Sequence, residues 1–204
     1  MFALREIFRH LKTMRHYLAL SSVILLAGMV VGGTNPAFEA FIEHQLTGLK
    51  QMANLIDDSS NPTLYMMGFI FFNNAYKALL VMAFGALFGI IPIVFLAING
   101  MILGYVIHSA AEKGGGMLAD VIFKGLLPHG IIEIPALVIA CAYGVCLGKI
   151  MLRGAGAVIV PRKEWGSELR RFLRRAMPAA ALIVGMLLVA AVIESTVTVW
   201  LLRM

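Results

Sequence analysis

The sequence predicts an all-α polytopic membrane protein. It reads as a bundle of about five transmembrane helices with amphipathic interfacial helices, one transmembrane domain over residues 1–204. Apolar residues make up 60% of the chain and charged residues 14%, where a soluble domain carries roughly 25% charged. Mean hydropathy is +0.88. The apolar residues also fall in runs long enough to cross a hydrocarbon core of about 30 Å, which takes about 20 residues.

Residues 1–16 form a basic, amphipathic start, with Arg5, Arg9, Lys12 and Arg15 among Phe2, Leu4, Ile7, Phe8 and Leu11. A basic leader before an apolar run also describes a secretory signal. Here the run ends Gly32-Gly33-Thr34-Asn35-Pro36, without a small-x-small cleavage site, so an uncleaved first span at about 17–33 is expected. Residues 35–63 are polar and close with Ser59-Ser60-Asn61-Pro62, which is turn chemistry. Their middle, 38–56, reads as a short surface helix. The apolar stretch 64–111 is too long for one span. Pro92 is a natural place for it to turn or kink, giving spans at about 66–90 and 93–111. After Gly114-Gly115-Gly116, residues 117–127 read as a short interfacial helix, and Pro128 as the start of a fourth span at about 130–152. Residues 153–176 carry seven arginines and lysines with Trp165, the pattern of a basic surface helix. The last span is expected at about 178–201.

Charge asymmetry orients the chain. With the N-terminus in the cytoplasm, 12 lysines and arginines fall in cytoplasmic segments and 4 outside, with Lys77 in a span. The C-terminus is then outside. The net charge of +6 is accounted for by this asymmetry and does not point to nucleic acid. Cys141 and Cys146 lie five apart in one apolar run, where a helix points them to different sides; they read as packing residues.

The informative residues are the polar ones within spans. A charge there costs roughly 2.5–3.5 kcal/mol on insertion scales and normally faces a bundle interior. Asn73, Asn74 and Lys77 lie on the second span, His129 and Glu133 on the fourth, and Glu194 on the fifth. On the topology above, all fall in the outer half of the membrane. They read as a polar intramembrane cluster, with Lys77 compensated by Glu133 or Glu194. His129 and Glu133 are four apart and share a helix face. They are candidate ligands of a divalent metal, but zinc sites use three or four ligands. His44, His108 or Glu194 would have to complete such a site. No cofactor is otherwise expected, and no complete catalytic motif is present. Four small-xxx-small pairs, Gly28/Gly32, Gly85/Gly89, Gly100/Gly104 and Gly144/Gly148, let helix backbones approach closely. They predict a compact bundle, with one such face free for a second copy in a homodimer.

An ordered set of motifs runs through the chain: Phe71-Phe72-Asn73-Asn74, Gly85-xxx-Gly89-Ile90, Asn99-Gly100-xxx-Gly104, Leu127-Pro128-His129-Gly130-xx-Glu133 and Gly144-xxx-Gly148. In order and spacing it resembles the stage II sporulation protein M family of integral membrane proteins, over about residues 17–200. The resemblance implies a multi-pass protein of the bacterial cell membrane. It implies a non-enzymatic scaffold that recruits or organises cell-wall (peptidoglycan) remodelling enzymes, as in sporulation engulfment. The implied partners are membrane-anchored peptidoglycan hydrolases resembling stage II sporulation proteins D and P. The family positions are Asn73, Asn74, Asn99, Gly100, Pro128, His129, Gly130, Glu133, Gly144 and Gly148. Two other functions fit the same residues. One is a transporter or channel component with Lys77, Glu133 and Glu194 lining a path. The other is an intramembrane metal-dependent hydrolase using His129 and Glu133.

Overall fold

The computed structural model describes residues 4–34, 61–159, 164–202 and 204. Helix α1 (Leu4–Thr13) is the amphipathic start. It ends where the Thr13 hydroxyl donates to the His10 carbonyl at 2.6 Å. The chain turns at the buried Met14 and enters α2 (Arg15–Thr34). Helix α3 (Pro62–Phe84) opens on a proline, where the missing N–H costs nothing. The expected surface helix at 38–56 lies outside the described residues.

The turn into α4 (Ile90–Glu112) comes earlier than the proline predicts. It spans residues 85–89, with Gly89 at φ 78° and Phe88 at φ 57°. Both lie in the left-handed region, which Gly89 enters freely. Pro92 sits in the first turn of α4, buried, where its missing donor is one the helix leaves unpaired anyway. The second span therefore ends at Phe84, not near residue 90.

The last two spans also differ from expectation, being the upper parts of longer helices. α5 (Gly115–Ala119), a π-helical stretch (Asp120–Leu126) and α6 (Leu127–Ile159) run on as one helix. The π-helical stretch directly precedes Pro128, which cannot donate to the ladder. Neither a separate interfacial helix nor a new helix start exists there, so no helix N-terminus faces Glu133. Likewise α7 (Trp165–Ile193) continues through Pro178 into a π-helical stretch (Glu194–Thr198) and α8 (Val199–Leu202). Of the basic segment, Arg162 and Lys163 are outside the described residues, Arg153 lies in α6, and Arg170, Arg171, Arg174 and Arg175 lie in the first half of α7. Trp165 Nε1 donates to the Ile150 carbonyl at 2.8 Å and Arg153 pairs with Glu168 at 2.8 Å, which ties this half to the end of α6.

Among the described residues, five helical stretches are long and apolar enough to cross a membrane: Arg15–Thr34, Pro62–Phe84, Ile90–Glu112, Gly115–Gly156 and Trp165–Leu202. Large apolar side chains cover the outside, among them Val30, Phe72 and Ile131, as lipid requires. The protein is a multi-pass helical membrane protein.

α6 is central and packs against α2, α3, α4 and α7. Several of its inward positions are small: Ala136, Ala140, Cys141 and Ala142 have no exposed surface. Both cysteines are free thiols. The four glycine pairs match one another inside the chain. Gly28 and Gly32 of α2 lie on the backbones of Ala97 and Met101 of α4. From the other side, Gly100 and Gly104 lie on the backbones of Leu25 and Met29. Gly85 and Gly89 meet Gly144 and Gly148 of α6 in the same way. All eight glycines are buried, so the four pairs bind one copy together. An added Cβ at Gly32 or Gly148 would overlap the facing backbone. Such contact is the main source of helix association where lipid is as apolar as leucine.

Candidate functional site

Asn73, Asn74 and Lys77 project from one and a half turns of α3. Asn73 Nδ2 donates to Asn74 Oδ1 at 3.1 Å, and Asn74 Nδ2 donates to Glu133 Oε1 on α6 at 2.9 Å. The other oxygen of Glu133 lies 3.8 Å from His129 Nε2, one turn earlier on α6. The remaining ring nitrogen of His129, Nδ1, is 3.4 Å from the Thr198 hydroxyl. Thr198 belongs to the π-helical stretch that begins with Glu194. That stretch brings Glu194 to the same place. One ligand atom each from His129, Glu133 and Glu194 all lie within 4.8 Å of one another. Such π-helical stretches occur frequently at functional sites.

Lys77 enters differently. It is exposed, and with Asn74, Asn99 and Glu133 it lines an open cavity of about 300 Å³, which apolar residues including Phe95 and Leu137 also line. It shares that space with the Glu133 carboxylate. Among the described residues it makes no ion pair within 4.0 Å. Asn99 lines the same cavity, but its amide donates to its own Phe95 carbonyl at 2.7 Å. The other family positions lie away from this cluster of side chains. Gly100, Gly144 and Gly148 are the close approaches described above, and Pro128 follows the π-helical stretch. Gly130 has only the Ile134 side chain within 4 Å of an added Cβ.

Of the residues considered as a third metal ligand, Glu194 joins His129 and Glu133. His108 instead pairs with Glu112 at 3.6 Å on the surface, and His44 lies outside the described residues. One imidazole nitrogen and two carboxylates are a donor set that could hold a divalent cation. Ligands about 2.0–2.2 Å from a tetrahedral zinc stand about 3.4 Å apart, so a small closure of the three groups suffices. Thr198 and Asn74 would orient His129 and Glu133 from behind, as metal ligands are usually supported.

Sequence reasoning did not find Thr198, although it stands four residues after Glu194 as Glu133 stands four after His129. A second polar assembly also escaped it, toward the other end of the bundle. Tyr143, in the middle of α6, has no exposed surface, and its ring meets His10 of α1 edge-on at 5.7 Å. Its one sequence signal is a lone hydroxyl in an otherwise apolar run.

The fold and site define a five-span helical membrane protein with a histidine–carboxylate–amide cluster inside the bundle. The family model for stage II sporulation protein M matches residues 18–199, and the chain belongs to that family. An uncharacterised protein of Methanocaldococcus jannaschii is 26% identical over 149 residues, covering 73% of this chain and 63% of that protein. The chain thus spans less than two thirds of the length of the curated relative it matches. No solved structure matches it.

Proposed function

We propose that this protein is a non-enzymatic membrane scaffold that organises cell-wall remodelling enzymes at the outer face of the membrane, with its N-terminus in the cytoplasm. Family membership over residues 18–199 carries this reading. The glycine-matched packing supports it, because a rigid bundle gives partners a constant platform. The proposed partners are membrane-anchored peptidoglycan hydrolases. The test is to delete the gene and follow such hydrolases by fluorescence, together with muropeptide analysis of the wall. Their dispersal, restored by the wild-type gene, supports the scaffold. Unchanged hydrolase position and wall composition would overturn it.

A second reading rests on the convergence of His129, Glu133 and Glu194. It holds that the cluster binds a divalent cation, zinc being the first to test. Elemental analysis of the purified protein should then give one zinc per chain, lost in His129→Ala and in Glu194→Gln. Metal-free protein that still positions its hydrolases would leave the three residues as a structural network.

A further inference from the structure

A cavity of about 390 Å³ lies between α1, α6 and α7, within the about 300–1,000 Å³ of small-molecule sites. Two of its lining side chains, Tyr143 and His10, present buried polar atoms without a hydrogen-bond partner among the described residues: the Tyr143 hydroxyl and His10 Nε2. Buried polar groups are normally paired, and leaving one without a partner is unfavourable. The same cavity is lined by Arg174 and Arg175. These also border a more open groove with Arg170 and Arg171. The one carboxylate on the rim, Glu6, is drawn toward Arg9 at 3.7 Å. Two unspent internal hydrogen-bonding groups thus stand beside two arginines.

We propose that this cavity binds the phosphate group of an anionic lipid headgroup or a soluble phosphate ester. In it the Tyr143 hydroxyl and His10 Nε2–H act as internal donors, and Arg174 and Arg175 supply the charge. The fold places the recess where the amphipathic α1 meets the basic half of α7, just before the apolar part of α7. Basic pockets between spans at this level suit phosphate headgroups. The Thr13 hydroxyl is spent on the His10 carbonyl at 2.6 Å, so its oxygen is free to accept from His10 Nδ1, 3.1 Å away. Protonated His10 can therefore serve Thr13 through Nδ1 and the anion through Nε2. Burial, and then the Arg175 guanidinium 3.5 Å from its Nδ1, hold His10 below its ordinary range. An anion opposes the effect of Arg175, so binding favours protonation. The groups facing His10 are Glu6 and Arg9 from α1, Tyr143 from α6, and Arg174 and Arg175 from α7.

The test uses the full chain, stripped of lipid in detergent, with native mass spectrometry against phosphatidylglycerol and phosphatidylcholine. Wild type should prefer the anionic lipid about tenfold, and the preference should grow as pH falls from 7.5 to 5.5. The phosphodiester does not titrate there, so that growth reports on the protein. Tyr143→Phe should lower the preference at least threefold while melting no lower than wild type without lipid, because it removes only an unpartnered hydroxyl. Arg174→Gln with Arg175→Gln should remove it, and Arg170→Gln with Arg171→Gln should leave the tyrosine-dependent part intact. If sn-glycerol 3-phosphate displaces the lipid at millimolar concentration, the site stands and its ligand is soluble. An unchanged preference in Tyr143→Phe would mean that surface arginines alone attract lipid, and would overturn the proposal. So would the absence of any preference in wild type.

Discussion

Asn74 on α3 donates a 2.9 Å hydrogen bond to Glu133 on α6, across 59 positions of sequence. It joins two spans at the point where the histidine and the second glutamate also arrive. Hydrogen bonds to charged groups contribute about 1.5–3 kcal/mol. Asn74→Ala should lower stability by about that amount, and Glu133→Gln by less, since an amide oxygen still accepts. A double-mutant cycle on thermal unfolding in detergent should show coupling between the two positions. Additive effects would show that the bond contributes nothing.

Lys77 faces the same carboxylate across a cavity. Lys77→Met should therefore cost less than the about 3–5 kcal/mol of a broken buried contact pair. Adding Glu133→Gln should restore part of the loss. Full additivity would mean that Lys77 compensates another charge.

The glycines divide into two kinds. Gly32 and Gly148 lie on facing backbones, whereas Gly185 of α7 has nothing within 4 Å of an added Cβ. Gly32→Ala and Gly148→Ala should destabilise the bundle. Gly185→Ala should be neutral or stabilising by about 0.5–1 kcal/mol, the helix preference of alanine. Equal melting temperatures for all three variants would contradict the packing described.

Topology is open to direct chemistry. With the N-terminus inside, a cysteine placed at Lys113 should react with an impermeant maleimide on intact cells, in a background lacking the two native thiols. One placed at Arg170 should react only after lysis. The reverse pattern would invert the protein.

Ligand-free stability should depend on pH through His10. Its folded pKa lies below the ordinary 6.5 because of burial and Arg175. Above 6.5 the imidazole is neutral in both states and its burial costs no protonation. As pH falls below 6.5 the unfolded chain binds the proton first, so stability declines until the folded pKa is passed. Melting temperature in detergent should fall between pH 7.5 and 5.5, and the fall should be smaller in His10→Gln. An identical profile in the variant would remove His10 from the account.

The sequence by itself determined the class and the cluster. The length and spacing of apolar runs require helices in lipid, because only a helix satisfies its own backbone there. The expense of Lys77, Glu133 and Glu194 in that setting marked them as candidates for the interior; Glu133 and Glu194 are half-buried there, whereas Lys77 is exposed. Repeated glycines announced close helix approach. Partner and register were not legible, since a glycine pair states that a backbone comes near but not whose. Pairing of Gly28/Gly32 with Gly100/Gly104, and of Gly85/Gly89 with Gly144/Gly148, was decided only by tertiary packing. The prolines misled for a related reason. Pro92, Pro128 and Pro178 forbid a donor but not a helix, and a first turn, a π-helical stretch or surrounding helices can absorb the loss. Tertiary structure also turned the end of α7 so that Glu194 and Thr198 reach His129. It folded α1 back so that His10 meets Tyr143, because both contacts depend on rotation about a helix axis, which packing sets and local sequence does not.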